Sequence, residues 1–300
     1  MEPASRRSGS PRDTTGEFNY LAPGSLINRR FVAPGREINT GRYESHVMTV
    51  RDGRGLPNEL NLDRAGFMLA RAPSQVVDFM DRDAVERVYP AEAAEIVKQN
   101  ADATHVVPLS WLVRTSGDRQ LLEKQVIGYR HGSGSVQPPG ADVHVDMIPQ
   151  RSEMLARTTY EKHFPNGAPY RRFMISSLWR PFSDPPQDWP LAVCDARSVG
   201  DAEGVPNRMV IVDELPDSEA ARGPLVDEEN MPAASAFHYS PGHRWWYFPD
   251  MDRDEVLIIK FYDSDRGRAW RAPHSAFRDP SVSGPAIRRS IEFRSIAYFL

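Results

Sequence analysis

Two short patterns in this sequence could bring together side chains that hold a redox metal. The first is His144-Val145-Asp146. On a strand, side chains alternate with period two, so an imidazole and a carboxylate at i and i+2 aim at one point. Val143, Val145 and Met147 then point the other way, as on a half-buried strand with a polar inner face. Such a pair is weak alone, because short motifs match by chance and the same residues serve as surface features or structural hydrogen bonds. The second pattern lies near the C-terminus. His274 sits in Ala272-Pro273-His274-Ser275-Ala276-Phe277, and fourteen residues later Arg288-Arg289-Ser290 opens a last strand. Two histidines and one carboxylate leave coordination positions open for iron(II) chemistry. An arginine fixed beside that metal offers a planar fork to a carboxylate. Ser290, on the same strand face, adds a donor. A dicarboxylate co-substrate needs that geometry, with one end on the metal and the other on the arginine.

Other residues compete for roles. His243 is the rival third ligand, at the start of its own strand beside an aromatic run. No Arg-x-Ser follows it at 10–15 residues, so His274 is preferred; His243 is then a hydrogen-bonded core histidine or one behind the ligands. Trp245, Trp246, Tyr247 and Phe248 could line a substrate pocket, but aromatic strands are more often core. Arg180 and Arg130 could meet an anionic substrate group, although structural or solvated arginines are commoner. His46, His105, His131, His163 and His238 have no ligand spacing. Cys194 has apolar neighbours and reads as a buried small residue.

The elements that must position these groups are mostly strands. Asn39–Arg51, Leu60–Arg71, Val106–Thr115, Gln120–Tyr129, Ala141–Ile148, Arg171–Trp179, Leu191–Asp195, His243–Phe248, Glu255–Tyr262 and Ser290–Phe299 read as extended. Asp81–Tyr89 and Pro90–Gln99 read as two helices, with Pro90 suited to a first turn, and Gln150–Phe164 as a third. His131–Gly140 and Ser183–Trp189 are turn-rich, and Asp213–Met231 is an acidic surface excursion. Strand and helix do not alternate as in a doubly wound chain. The expected fold is mainly β with flanking helices, a distorted double-stranded β-helix: a jelly-roll, cupin-like barrel. Met1–Thr15, rich in Ser, Arg and Pro, is read as a disordered tail, and 16–300 as a single oxygenase domain.

Composition narrows the class. The 300 residues suffice for a sizeable core, and 40% apolar with 26% charged residues is globular. A net charge of −4 gives no basic stripe, so no nucleic-acid partner is expected. One cysteine excludes an internal disulfide and an all-cysteine metal site. No apolar run is long enough for a bilayer or a secretory signal, so no membrane partner is expected and a cytoplasmic location is.

The order His-x-Asp, a distant His, then Arg-x-Ser on a terminal strand resembles the iron(II)- and 2-oxoglutarate-dependent dioxygenases. It is most similar to the branch holding the fungal gibberellin-desaturase-like enzymes and the cephamycin 7-hydroxylase component. The segments that carry the likeness are Trp179-Arg180-Pro181, Trp189–Asp195, His243–Pro249, Asp254–Lys260 and Pro273–Pro280. It runs from about Asn39 to the C-terminus, most strongly over the last 60 residues. Ser177, where many relatives carry Asn, and Arg289, where they carry an acidic residue, depart from the pattern; the first could shift substrate choice.

The resemblance implies iron(II) on His144, Asp146 and His274, 2-oxoglutarate with its distal carboxylate on Arg288, and dioxygen. Oxidative decarboxylation then gives succinate, carbon dioxide and an oxidant that takes hydrogen from an unactivated carbon. Hydroxylation or desaturation of a small molecule, a secondary metabolite, follows. Two alternatives stand beside it: a cupin-like metal enzyme without 2-oxoglutarate, which Arg288–Ser290 argue against, and a non-catalytic barrel that binds small molecules. Succinate release and iron content discriminate among the three.

Overall fold

In the computed structural model, residues 11–33, 36–117 and 135–300 are described. The expected strand Gln120–Tyr129, Arg130, the first four residues of the loop His131–Gly140 and most of the N-terminal tail lie outside the described residues. Sixteen strands, numbered in chain order among the described residues, form two sheets. The ten-stranded sheet runs β1 (Thr14–Leu21), β4 (Tyr43–Asp52), β13 (Trp245–Tyr247), β10 (Leu191–Cys194), β15 (His274–Ala276), β8 (His144–Val145), β12 (Ala233–Ala236), β11 (Val205–Ile211), β2 (Arg29–Ala33), β3 (Arg36–Asn39). The six-stranded sheet runs β5 (Phe67–Arg71), β14 (Glu255–Asp263), β9 (Arg172–Pro181), β16 (Arg289–Phe299), β6 (His105–Thr115), β7 (Ser135–Gln137). This is the expected jelly roll: strands β7 to β10 and β13 to β16 alternate between the sheets, and Leu191 and Val193 of one sheet pack on Trp179, Leu257 and Ile259 of the other.

Alternation sorts the small sheet. On β9, Phe173, Ile175, Ser177 and Trp179 face the large sheet, whereas Met174 and Leu178 face outward beneath helix α1 (Arg82–Ala101). That helix is one element, not the two expected around Pro90. Asp81 caps its start by accepting from the Ala84 amide at 3.0 Å. Val85, Tyr89, Ala93, Ile96 and Val97 form a buried stripe along one face. A mid-helix proline costs about 3 kcal/mol, and burying a large apolar side chain returns about 1.5–3 kcal/mol, so the stripe carries the helix through Pro90. Helix α2 (Pro149–His163) begins with proline in its first turn and buries Ser152, Ala156 and Tyr160.

Other expectations shift. The tail's boundary moves forward, because Thr14 and Thr15 already pair with Val50 and Thr49. Strands β1, β2, β3, β7, β11, β12 and β15 are not among the expected ones; β7 lies in the expected loop His131–Gly140, and β15 carries His274. β1 buries Gly16, Phe18 and Tyr20 at period two, a signal present in the sequence. Of Leu60–Arg71 only the last five residues form a strand, and Ala141–Ile148 contributes only two.

Candidate active site

His144 and His274 stand directly opposite each other across β8 and β15. The row continues through Val193 to Trp246 on one side and Ala236 on the other. Residues directly opposite on neighbouring strands share a face, so both imidazoles point between the sheets. Their ring centroids lie 4.6 Å apart. Asp146 leaves the end of β8, with Oδ1 at 3.2 Å from His144 Nε2. One donor atom from each of His144, Asp146 and His274 lies within 4.8 Å of the others. The local sequence prepares this. Gly140 leaves room for the His144 ring, since a Cβ there would meet Cε1 at 3.2 Å. Phe261 stacks on His274 at 5.4 Å.

Backbone carbonyls select the tautomers. His144 Nδ1 donates to Asp142 O at 2.6 Å and His274 Nδ1 to Ala272 O at 3.3 Å. Each Nε2 is thereby left as the lone-pair nitrogen toward the centre, the arrangement metal-binding histidines use. Burial presses the His144 pKa down, but the Asp146 carboxylate more than offsets this and leaves it above the ordinary value. Burial also raises Asp146, yet Arg294 and the two imidazoles outweigh it and hold that carboxyl well below its usual range. His274, buried and beside His144, is pushed down to about 4, so it is neutral at neutral pH. Two neutral-capable imidazoles and one anionic oxygen form a donor set suited to a divalent iron.

The far wall comes from the small sheet. Arg288 is 1% exposed, immediately before β16. Asp188 and Ser116 both accept from its backbone amide at 2.9 Å, its Nη1 donates to Trp189 O at 2.8 Å, and its guanidinium lies 5.5 Å over the Trp179 ring. Its Nε and the Ser290 Oγ are buried without a partner. Burial drives the Arg288 pKa down to about 9, and Arg114 pushes the same way. An arriving carboxylate would relieve both strains. Arg288, Trp179, Ser177, His144 and His274 line one cavity, of about 20 Å³ as it stands.

Two charged residues beside the site, Glu292 and Arg114, are not among the sequence assignments; a third, Arg294, lies at even spacing from Arg288 and is the alternate that the sequence offers for it. Glu292 pairs with Arg114 at 3.1 Å and Arg294 at 2.5 Å, and Arg294 reaches Asp146 Oδ2 at 2.6 Å. Burial raises Glu292, but Arg294 and Arg114 outweigh it and hold its carboxyl low. The even spacing from Arg288 along the last strand that singles out Arg294 could also have found Glu292. Arg114 is brought in only by the pairing of β6 with β16.

Several expected residues lie elsewhere. His243 does not join the cluster: its Nδ1 is 3.1 Å from the Tyr20 hydroxyl and its Nε2 2.8 Å from Glu203. It precedes β13 in a turn and does not begin that strand. Trp245 pairs with Cys194 and points to the face away from the histidines, where its Nε1 donates to Tyr20 at 2.9 Å. Tyr247, two residues on, shares that face and donates to Arg12 O at 2.6 Å. Parity therefore makes both core and puts Trp246 on the histidine side. Arg180 is fully buried beneath α1, donating to Tyr89 at 3.1 Å and Arg253 O at 2.6 Å, away from the cavity that its neighbour Trp179 lines. Ser177 does line that cavity.

A jelly roll presenting two histidines and a carboxylate opposite a buried arginine defines a class, the non-haem iron oxygenases. Comparison with known proteins narrows it. A family model described as an oxidoreductase/YMDC permease-like domain matches residues 18–298. The hydroxylase/desaturase efuI of Hormonema carpetanum is 30% identical, over 99% of this chain and 97% of its own length. The alpha-ketoglutarate-dependent dioxygenase phiK of a fungal species is 28% identical over 94% of this chain and 95% of its own. A solved structure of the iron and alpha-ketoglutarate-dependent endoperoxidase NvfI superposes with a TM-score of 0.74 over 96% of this chain and 98% of that one, at 24% identity, a likeness of fold. The chain belongs to the iron(II)- and 2-oxoglutarate-dependent dioxygenase family that includes these fungal hydroxylase/desaturases. It is an oxidoreductase whose chemistry draws on iron(II), 2-oxoglutarate and dioxygen. No helix among the described residues is long and apolar enough to cross a membrane.

Proposed function

We propose that His144, Asp146 and His274 hold the iron, that Arg288 with Ser290 receives the distal carboxylate of 2-oxoglutarate, and that the enzyme hydroxylates or desaturates an unactivated carbon of a small secondary metabolite. The observation that carries the metal assignment is the convergence of three donor atoms within 4.8 Å, with both Nδ1 atoms tied to carbonyls. The co-substrate assignment rests on a buried guanidinium whose Nε has no partner, beside an unpartnered serine hydroxyl on the same wall. The bound iron supplies oxidising power that no side chain has. The chain's own part is to orient: Arg294 holds the second oxygen of Asp146, and Glu292 keeps Arg114 and Arg294 engaged so that Arg288 alone stays open to a carboxylate. Trp179, Leu191 and Ile259 keep water from the centre.

The substrate class follows the relatives, named hydroxylase/desaturase. The strands from Thr14 onward are read as one catalytic unit, acting in the cytosol, where the single buried Cys194 stays reduced. Anaerobic titration tests the assignment. Iron(II) with 2-oxoglutarate should give the visible charge-transfer band of the chelate in the native chain and none in His274→Ala. An undiminished band in that variant would remove His274 from the ligand set and reopen the case for His243. Turnover without succinate release would favour the cupin-like alternative.

A further inference from the structure

A second cleft, of about 320 Å³, shares no lining residue with the buried cavity. It is walled by the turn before β5, the turn after β10 and the loop from β14 into β15. Its size falls at the lower end of small-ligand sites. Its charge is what sets it apart. Arg197 is neutralised by Asp195, and Arg268 by Asp63 and Asp265. Arg64, Arg266 and Arg271 have no ion pair among the described residues, and Asp201 is the remaining lining carboxylate, accepting from Trp270 Nε1 at 2.7 Å. Counted together, five arginines face four aspartates, so one positive charge is in surplus, and Arg64, Arg266 and Arg271 carry it without an ion pair among the described residues.

These arginines are not an ordinary solvated cluster. Arg271 is only 4% exposed, and its buried Nε has no hydrogen-bond partner. Its Nη2 meets backbone carbonyls, including Gly200 O at 3.2 Å; Glu203 and Asp201 act on its charge from nearby, but neither forms an ion pair with it. The chain makes space for it: Gly204, at φ +100°, carries no Cβ where one would stand 2.6 Å from Arg271 Nη1. Arg266 and Arg271 both stack on Trp270, at 3.6 and 4.0 Å from the ring centroid, which holds two like charges around one indole. Burial pushes the Arg271 pKa down to about 10; Glu203 and Asp201 oppose the shift and Arg266 adds to it, and a bound anion would offset the cost of that buried charge.

We propose that this cleft binds a compact dianionic oxyanion, a phosphate monoester or a dicarboxylate, through Arg64, Arg266 and Arg271. The test is calorimetric titration of the full chain without 2-oxoglutarate, itself a dicarboxylate that would compete for the cleft, with Arg288→Ala in parallel to report binding in the co-substrate pocket. Methyl phosphate and succinate are the two probes. At least one should bind, and which one does identifies the source of the dianion. The double variant Arg64→Gln/Arg266→Gln alters exposed side chains and spares the buried Arg271. It should weaken binding about tenfold or more, since each lost arginine contact is charge-assisted. Arg36→Gln, an exposed arginine on β3, should leave it unchanged. Absence of binding by both probes into the millimolar range would overturn the proposal. So would an affinity indifferent to the double variant, or one that disappears in Arg288→Ala while surviving the double variant, which would place the probe in the co-substrate pocket.

Discussion

The two oxygens of Asp146 face different partners, Oδ1 toward His144 Nε2 and Oδ2 toward the Arg294 guanidinium 2.6 Å away. A metal ligand whose second oxygen is held this way should depend on its holder. Arg294→Met is expected to weaken iron(II) binding about 10- to 100-fold, the usual penalty for losing a partner of a ligating carboxylate. Competition against a chelating dye under argon reads this, with Arg289→Ala as the neighbouring control; equal affinities in both would mean that Arg294 does not position the ligand. Arg288 has a different signature. Truncating one side of a buried charge pair costs about 2–5 kcal/mol, so Arg288→Ala should raise the 2-oxoglutarate requirement roughly 30-fold to several thousand-fold. Iron affinity should barely change, and lysine should rescue only in part, because it offers no planar fork. A large defect in Arg289→Ala with a normal Arg288→Ala would remove the assignment.

Two elements carry charges or breaks that their surroundings must offset. On β14, Lys260 and Asp263 are both fully buried, 2.6 Å apart, with Arg172 closing on Asp263 at 2.7 Å. Burial raises the Asp263 pKa, but Arg172 and Lys260 outweigh it and hold it below the ordinary value. A carboxylate depressed in the folded state stabilises above its unfolded pKa, about 4, and that contribution fades as pH falls through the folded value. Asp263→Asn should therefore cost about 3–5 kcal/mol at neutral pH by leaving Lys260 only the Ala269 carbonyl and the more distant Asp63, 3.6 Å away, with the gap to the native chain closing below about pH 4. Urea unfolding across pH reads both; a constant gap would mean the pair is not what titrates. In α1, Pro90→Ala restores an amide for the Glu86 carbonyl. It should stabilise by about 2 kcal/mol, the helix penalty of proline less the unfolded-state entropy it saves. A lower melting temperature in that variant would show that the helix needs its proline.

At the scale of the whole molecule, the site joins the two sheets: His144 and His274 come from one, Arg288, Glu292 and Arg294 from the other. Ligands bound there should act as a clamp between layers. Iron(II) with 2-oxoglutarate at about 100 times its dissociation constant should add roughly 2.7 kcal/mol to stability, lost on chelation. His274→Ala should show no such gain, whereas His243→Ala should keep it, since His243 hydrogen-bonds Tyr20 and Glu203 outside the cluster. Melting temperatures with and without chelator measure this directly.

Period-two alternation is a local property, and what it governs could be read from the sequence. It put His144 and Asp146 on one side of a short strand, placed Arg288 and Ser290 on a shared face, and signalled most of the long strands. The fold class was legible for the same reason, many short extended segments without regular helical alternation. Pairing between distant strands was not legible, because register is decided by which segments meet. That is how His274 came opposite His144 across a break of 130 residues, how Arg114 reached Glu292, and why Trp246 and not Trp245 faces the histidines. Helix α1 ran through Pro90 for a tertiary reason too: the sheet beneath it buries a stripe that local propensity does not weigh. Residue types and spacing thus determined which side chains could do chemistry, and only the stacking of the two sheets decided which of them meet, since contacts between residues far apart in the chain exist only after folding.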